Sequence, residues 1–137
     1  MVDKDFFKLL KKRKDVYSAT KNTYCPFLKE VIYFNNKGFY HATHNSDKSF
    51  RTRSDSVRRL NLLPHIYECI RYCSDFENQP RVTPKNHTNN RYGQEIVEYE
   101  LQRRVNKDFK VVIVLKRIGK GRLYYWSVYD IQTKKPR

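Results

Sequence analysis

The residues Phe39-Tyr40-His41-Ala42-Thr43-His44-Asn45-Ser46 place two histidines three positions apart, just before a basic stretch. A histidine can take or give a proton near neutral pH, so His41 or His44 can act in general acid–base chemistry. Other readings stay open: one histidine satisfied in the core with the other in solvent, or metal ligation. A second cluster, Lys116-Arg117-Ile118-Gly119-Lys120-Gly121-Arg122, sets four cations around a glycine turn. Backbone N–H groups in such a turn can nest an anion while Lys116, Arg117 and Arg122 hold a phosphate, although a solvated basic turn has the same composition. A third cluster is Leu123-Tyr124-Tyr125-Trp126-Ser127-Val128-Tyr129. Strand alternation assigns Tyr124, Trp126 and Val128 to one face and Tyr125, Ser127 and Tyr129 to the other. Tyr125 and Ser127 are expected on the site face, where a ring can stack a base and a hydroxyl can bond a phosphate oxygen.

Cutting RNA without a metal needs a base for the ribose 2′-OH, an acid for the leaving oxygen, and cations for the charge on the phosphorane. His, Tyr, Glu and Arg/Lys side chains on one small sheet can supply all three. Glu98 and Glu100 sit on the polar side of a predicted strand, and Glu98 reads either as a general base or as a charge-balancing partner of the cations. Arg51, Arg53, Arg58 and Arg59 flank the histidines, and Arg53 is expected to bind phosphate. No DxD, HExxH, Walker A or dinucleotide-binding glycine motif is present, so no metal or other cofactor is expected.

The whole composition points the same way. The chain has 137 residues, 29 Lys+Arg against 14 Asp+Glu, and a net charge of +15, which favours a polyanionic partner. Residues 1–24, 48–59 and 103–137 carry most of the excess. Aromatics make up 15 %, too many for a disordered polycation. No run approaches the ~18 apolar residues of a membrane span, and residues 1–15 lack the apolar stretch and cleavage site of a signal peptide. A cytoplasmic protein with no membrane contact is expected. Cys25, Cys69 and Cys73 are odd in number and form no CxxC, which fits free thiols in a reducing compartment.

Periodicity then supplies the elements. Residues 3–16 read as a basic helix, with residues 22–26 as a linker, so residues 1–24 form an N-terminal helix and linker. Residues 30–34 and 39–43 read as a β-hairpin about the Asn35-Asn36-Lys37-Gly38 turn. Ser54 or Asp55 can cap a helix that runs to Pro64, and a second short helix follows. Residues 74–90 read as a long loop. A three-stranded meander over residues 92–103, 109–117 and 122–131 completes a single domain over 25–131, followed by a basic tail at 132–137. The fold class is α+β, with helices packed on one face of a mainly antiparallel sheet.

The stretch GFYHATHNSD, the basic loop and helical segment through RRLNLLPHI, and the meander ending VVIVLKRIGKGRLYYWSVYD resemble small toxin-type ribonucleases of the barnase–EndoU–colicin–RelE-like group. The resemblance spans residues 31–130 and leaves the N-terminal helix outside it. It implies helices before an antiparallel sheet that binds RNA, and metal-free cleavage leaving a 2′,3′-cyclic phosphate. It also implies a histidine from the early segment (His41 or His44), cations from Lys116, Arg117 or Arg122, and a last-strand hydroxyl from Ser127 or Tyr125. Sequences of that group often have a histidine before the aromatic–serine pair of the last strand, where this chain has Leu123, Tyr124 and Tyr125.

The expected function is that of a metal-independent endoribonuclease of toxin or phage-effector type acting on cellular RNA, tRNA or mRNA among the candidates. Two other readings stand beside it: a non-catalytic RNA- or DNA-binding module, and a basic domain that meets an acidic antitoxin or inhibitor protein.

Overall fold

In the computed structural model, residues 2–45, 47–73, 75–76, 81–88, 90 and 93–132 are described. The first helix, α1 (Asp3–Ala19), starts with Asp3 and Asp5 at its positive end, where carboxylates offset the helix dipole. Phe6 and Tyr17 turn inward, while Lys4, Lys8, Lys11, Lys12 and Lys14 stay exposed. Arg53 pairs with Asp3 at 3.0 Å and lies 4.0 Å over the Phe6 ring, which ties α1 to the rest of the fold.

The expected linker is a strand. β1 (Thr23–Cys25) pairs antiparallel with β2 (Glu30–Tyr33), and Cys25 is fully buried. The expected hairpin over 30–43 is not formed. The four residues that read as a turn begin a helix instead, α2 (Asn36–Tyr40). Asn35 caps it, its Oδ1 accepting from the Lys37 and Gly38 N–H groups at 3.1 and 3.4 Å. Asparagine and glycine serve turns and helix starts alike, so this sequence carried both readings.

Helix α3 (Arg53–Leu62) starts at Thr52, whose Oγ1 accepts from the Asp55 N–H at 3.1 Å, slightly before the expected cap. Pro64 sits in a single 3-10 turn (Leu63–His65), which leads into α4 (Ile66–Tyr72). Within the stretch read as a loop, two short strands form, β3 (Asp75–Phe76) and β4 (Arg81–Thr83). The rest of the chain is the meander β5 (Ile96–Arg104), β6 (Phe109–Ile118) and β7 (Leu123–Gln132). Gly119, at φ +59°, makes the tight turn between β6 and β7. Of the basic tail expected at 132–137, Gln132 instead ends β7, and residues 133–137 lie outside the described residues.

The sheet order is β1-β2-β7-β6-β5-β3, with β4 also on β5. Every pairing is antiparallel except β2 with β7. On one face Leu101, Val111, Ile113, Leu115, Leu123 and Val128 meet Leu60, Leu63, Ile66 and Ile70 of the helical layer. The fold is therefore α+β with helices on one face of a mainly antiparallel sheet. No helix among the described residues is long and apolar enough to cross a membrane.

Candidate active site

Two irregularities make the site. The first is the short length of β2. It pairs with β7 only at Ile32–Leu123 and Tyr33–Tyr124. Beyond Tyr33 the chain turns into α2, which takes the place beside β7 that a longer β2 would fill. The approach is close: a Cβ on Gly38 would stand 2.9 Å from the Tyr125 carbonyl oxygen. The second irregularity is a bulge in β7. Leu115 pairs with Tyr125 and Val114 with Ser127, so Trp126 is left without a partner.

The bulge resets the alternation of β7. Tyr125 is 1 % exposed and packs on Tyr17 and Phe34 at ring distances of 6.0 and 5.7 Å. Burial holds its phenol pKa well above the ordinary value. The expectation that Tyr125 lines the site is thus wrong, and Val128 belongs with it in the core. Ser127 keeps its expected place: paired with Val114, it shares the face of Lys116, opposite α3 and α4. Trp126 turns toward that face and toward the end of α2.

At that end stand the two histidines. Because α2 replaces the expected strand, they lie in one helical turn. The His41 N–H donates to the Lys37 carbonyl at 3.1 Å and the His44 N–H to the Tyr40 carbonyl at 3.0 Å. Residues three apart in a helical turn lie on neighbouring sides rather than on opposite faces as in a strand, and the charge of His44 is felt at His41. His41 is 9 % exposed, with its ring centre 4.6 Å from that of Trp126. His44 stacks on Tyr40 at 3.8 Å with planes 7° apart, touches Phe50 at 4.4 Å, and shares a 2.8 Å hydrogen bond through Nδ1 with Thr43 Oγ1.

Cations surround His41. The Lys116 Nζ lies 4.0 Å over the Trp126 ring and 3.5 Å from Glu98. Arg51 Nε donates to the His41 carbonyl at 2.8 Å, and Arg59 Nη1 to the Val128 carbonyl at 2.9 Å. Asp55 braces both arginines, at 3.2 Å from Arg51 and 3.3 Å from Arg59. Burial, then the charges of Lys116, Arg51, Arg59 and His44, push the His41 pKa down to about 4. His41 is therefore a neutral imidazole at neutral pH, held in a positive field. That field suits a phosphate, and a bound phosphate would in turn raise the basicity of His41.

The other sequence candidates fall elsewhere. Arg53 is engaged by Asp3 and Phe6 of α1, away from the histidine corner. Arg117 lies on the opposite sheet face from Lys116, since successive strand residues alternate, and is paired with Glu30. Arg122 shares the Lys116 face but stacks on Tyr33 at 4.5 Å, near the β6–β7 turn. Trp126, by contrast, is a site residue that simple alternation separates from Ser127, and Arg51 and Arg59 are more than flanking charges. Their four-residue spacing about Asp55 was the available signal for a braced pair.

The three cysteines are free thiols, and burial pushes the Cys69 pKa up to about 12. No cluster of three or more His, Cys, Asp or Glu that could hold a metal ion occurs among the described residues. Comparison with protein-family models, with curated proteins and with solved structures finds no match.

Proposed function

We propose that the protein is a metal-independent endoribonuclease whose active site is the corner formed by His41, Trp126, Lys116, Arg51 and Arg59. The observation that carries this reading is a neutral, largely buried imidazole ringed by three cations. A solvated histidine would not need such surroundings, and a core histidine would not be expected amid so much positive charge.

In this reading the scissile phosphate docks against Lys116, Arg51 and Arg59. Its negative charge offsets the cations and raises the proton affinity of His41, which takes the proton from the ribose 2′-OH. The 2′-oxygen attacks phosphorus, the cations stabilise the phosphorane, and the bond to the 5′-oxygen breaks. His44, one helical turn on, gives the leaving 5′-oxygen its proton. Trp126 packs on His41 and under Lys116 and so positions both, and Ser127 offers a hydroxyl to a phosphate oxygen. Glu98 holds Lys116 at 3.5 Å and so acts as its positioning partner. The products are a 2′,3′-cyclic phosphate and a 5′-hydroxyl. Cellular RNA as substrate would put the protein in the cytoplasm. The resemblance to toxin-type ribonucleases supports the same chemistry, with Tyr125 removed from the set of acting groups.

The test is incubation of the purified protein with total RNA in EDTA, followed by analysis of the new ends. The expected result is cleavage with cyclic-phosphate ends. Salt-sensitive retention of intact RNA would instead assign the corner to binding alone.

A further inference from the structure

Beside the histidine corner runs a groove of about 330 Å³ between α1 and α2. It lies at the small end of ligand-site volumes (~300–1,000 Å³), a size suited to one nucleotide. Leu10, Phe39 and Tyr40 give it an apolar, partly aromatic lining. Ser18 and Asn36 add a hydroxyl and a carboxamide, which together can donate to and accept from the edge of a flat heterocycle. Lys14 brings a positive charge to the same lining.

The groove is joined to the histidines by two shared residues. Tyr40 lines the groove and stacks on His44 at 3.8 Å. Thr43 lines it too, and its Oγ1 bonds His44 Nδ1 at 2.8 Å. The groove therefore adjoins His44, one helical turn on from His41, so a strand whose leaving 5′-oxygen meets His44 has an aromatic-lined slot next to it.

We infer, on the footing of the RNA-cleaving reading above, that this groove is a base-specificity pocket: it seats one nucleobase next to the scissile phosphate, with Asn36 and Ser18 reading the base edge and Lys14 holding the neighbouring phosphate. The same contacts give α1 a part in substrate choice. Lys14 and Ser18 come from this helix, so the helix that the ribonuclease resemblance leaves out would contribute one wall of the pocket.

Nucleoside 5′-monophosphates of the four bases, titrated singly and followed by amide NMR, test this without any need for cleavage. The expected result is shifts at Ser18, Asn36 and Tyr40 that favour one base or one base class. Ser18→Trp, at an exposed position on α1, should close the groove and weaken that binding about tenfold or more, equivalent to about 1.4 kcal/mol. Asn36→Ala, also exposed, should flatten the ranking of the bases. Shifts confined to His41 and Trp126, no binding of any nucleotide, or equal binding of all four that neither variant alters would each overturn the inference. So would a groove that takes a peptide in preference to every nucleotide. A protein that seats a base here yet leaves RNA intact would retain the pocket while refuting the ribonuclease reading.

Discussion

The His41 imidazole packs against the Trp126 indole with ring centres 4.6 Å apart and planes tilted by 43°. Neither residue would stand there in a regular structure. His41 arrives because β2 ends at Tyr33 and a helix takes its place, and Trp126 because β7 bulges after Tyr125. Lys116 then caps the indole from the adjacent strand. Two local departures from regular pairing thus build one charged corner at the edge of the sheet.

The first consequence concerns pH. His41 titrates at about 4 in the folded chain, below the ordinary value of 6.5. Between those values the unfolded chain binds more protons than the folded one, so stability rises with pH across the window. The contribution is complete above about 6.5 and is lost as pH falls toward about 4. An NMR titration of the imidazole carbons should show His41 neutral at pH 6, and Lys116→Gln should move its pKa up. A protonated His41 at pH 6 would contradict the charge arrangement described here.

Tyr125 is a core residue, and its variants should behave accordingly. Tyr125→Ala should destabilise the fold by about 3–5 kcal/mol, the usual loss for a large buried ring. Tyr125→Phe should leave RNA cleavage unchanged. Loss of cleavage in a fully folded Phe variant would return the hydroxyl to the chemistry.

Gly38 sets the distance of α2 from β7. A Cβ there would stand 2.5 Å from the Tyr17 hydroxyl oxygen and 2.9 Å from the Tyr125 carbonyl oxygen. The Tyr17 hydroxyl is itself anchored, donating to the Asn35 carbonyl at 2.6 Å. Gly38→Ala should therefore push α2 outward, cost about 1–3 kcal/mol of stability, and shift the His41 and Trp126 resonances together. A variant as stable as the parent would mean that α2 is seated less tightly than this.

Much of the fold was legible in the chain. The meander, α1 and the two helices around Pro64 follow from their periodicity and stop signals, because burial on one face enforces the pattern. No hairpin forms at residues 30–43 because Asn35-Asn36-Lys37-Gly38 suits a helix cap as well as a turn, and long-range packing of Gly38 on β7 decides between them. The bulge at Trp126 leaves no mark in the residue types, so simple alternation put Tyr125 on the site and Trp126 in the core. The histidines are recognisable by type, but their place in one helical turn depends on the helix that replaces the strand. Arg53 and Arg117 looked equivalent to their neighbours in sequence. Asp3 and Glu30, distant in the chain, draw them elsewhere.

Salt should report on the corner as well. Each phosphate contact to a single strand contributes about −0.7 to the slope of log K against log salt. Lys116→Gln should weaken RNA binding and reduce that slope by about 0.7. Arg117→Gln, on the other sheet face, should leave the slope unchanged. Equal effects of the two variants would show that RNA does not choose the Lys116 face.

The central claim is that His41 carries a proton in RNA cleavage while the cations around it hold the phosphate. The most direct measurement compares the parent and His41→Gln on one RNA, in EDTA, recording the cleavage rate and the binding constant together. The expected result is a loss of about 10²–10⁴-fold in rate, the usual contribution of a general acid–base group, with binding little changed. Cleavage that survives the substitution at the parental rate would contradict the account.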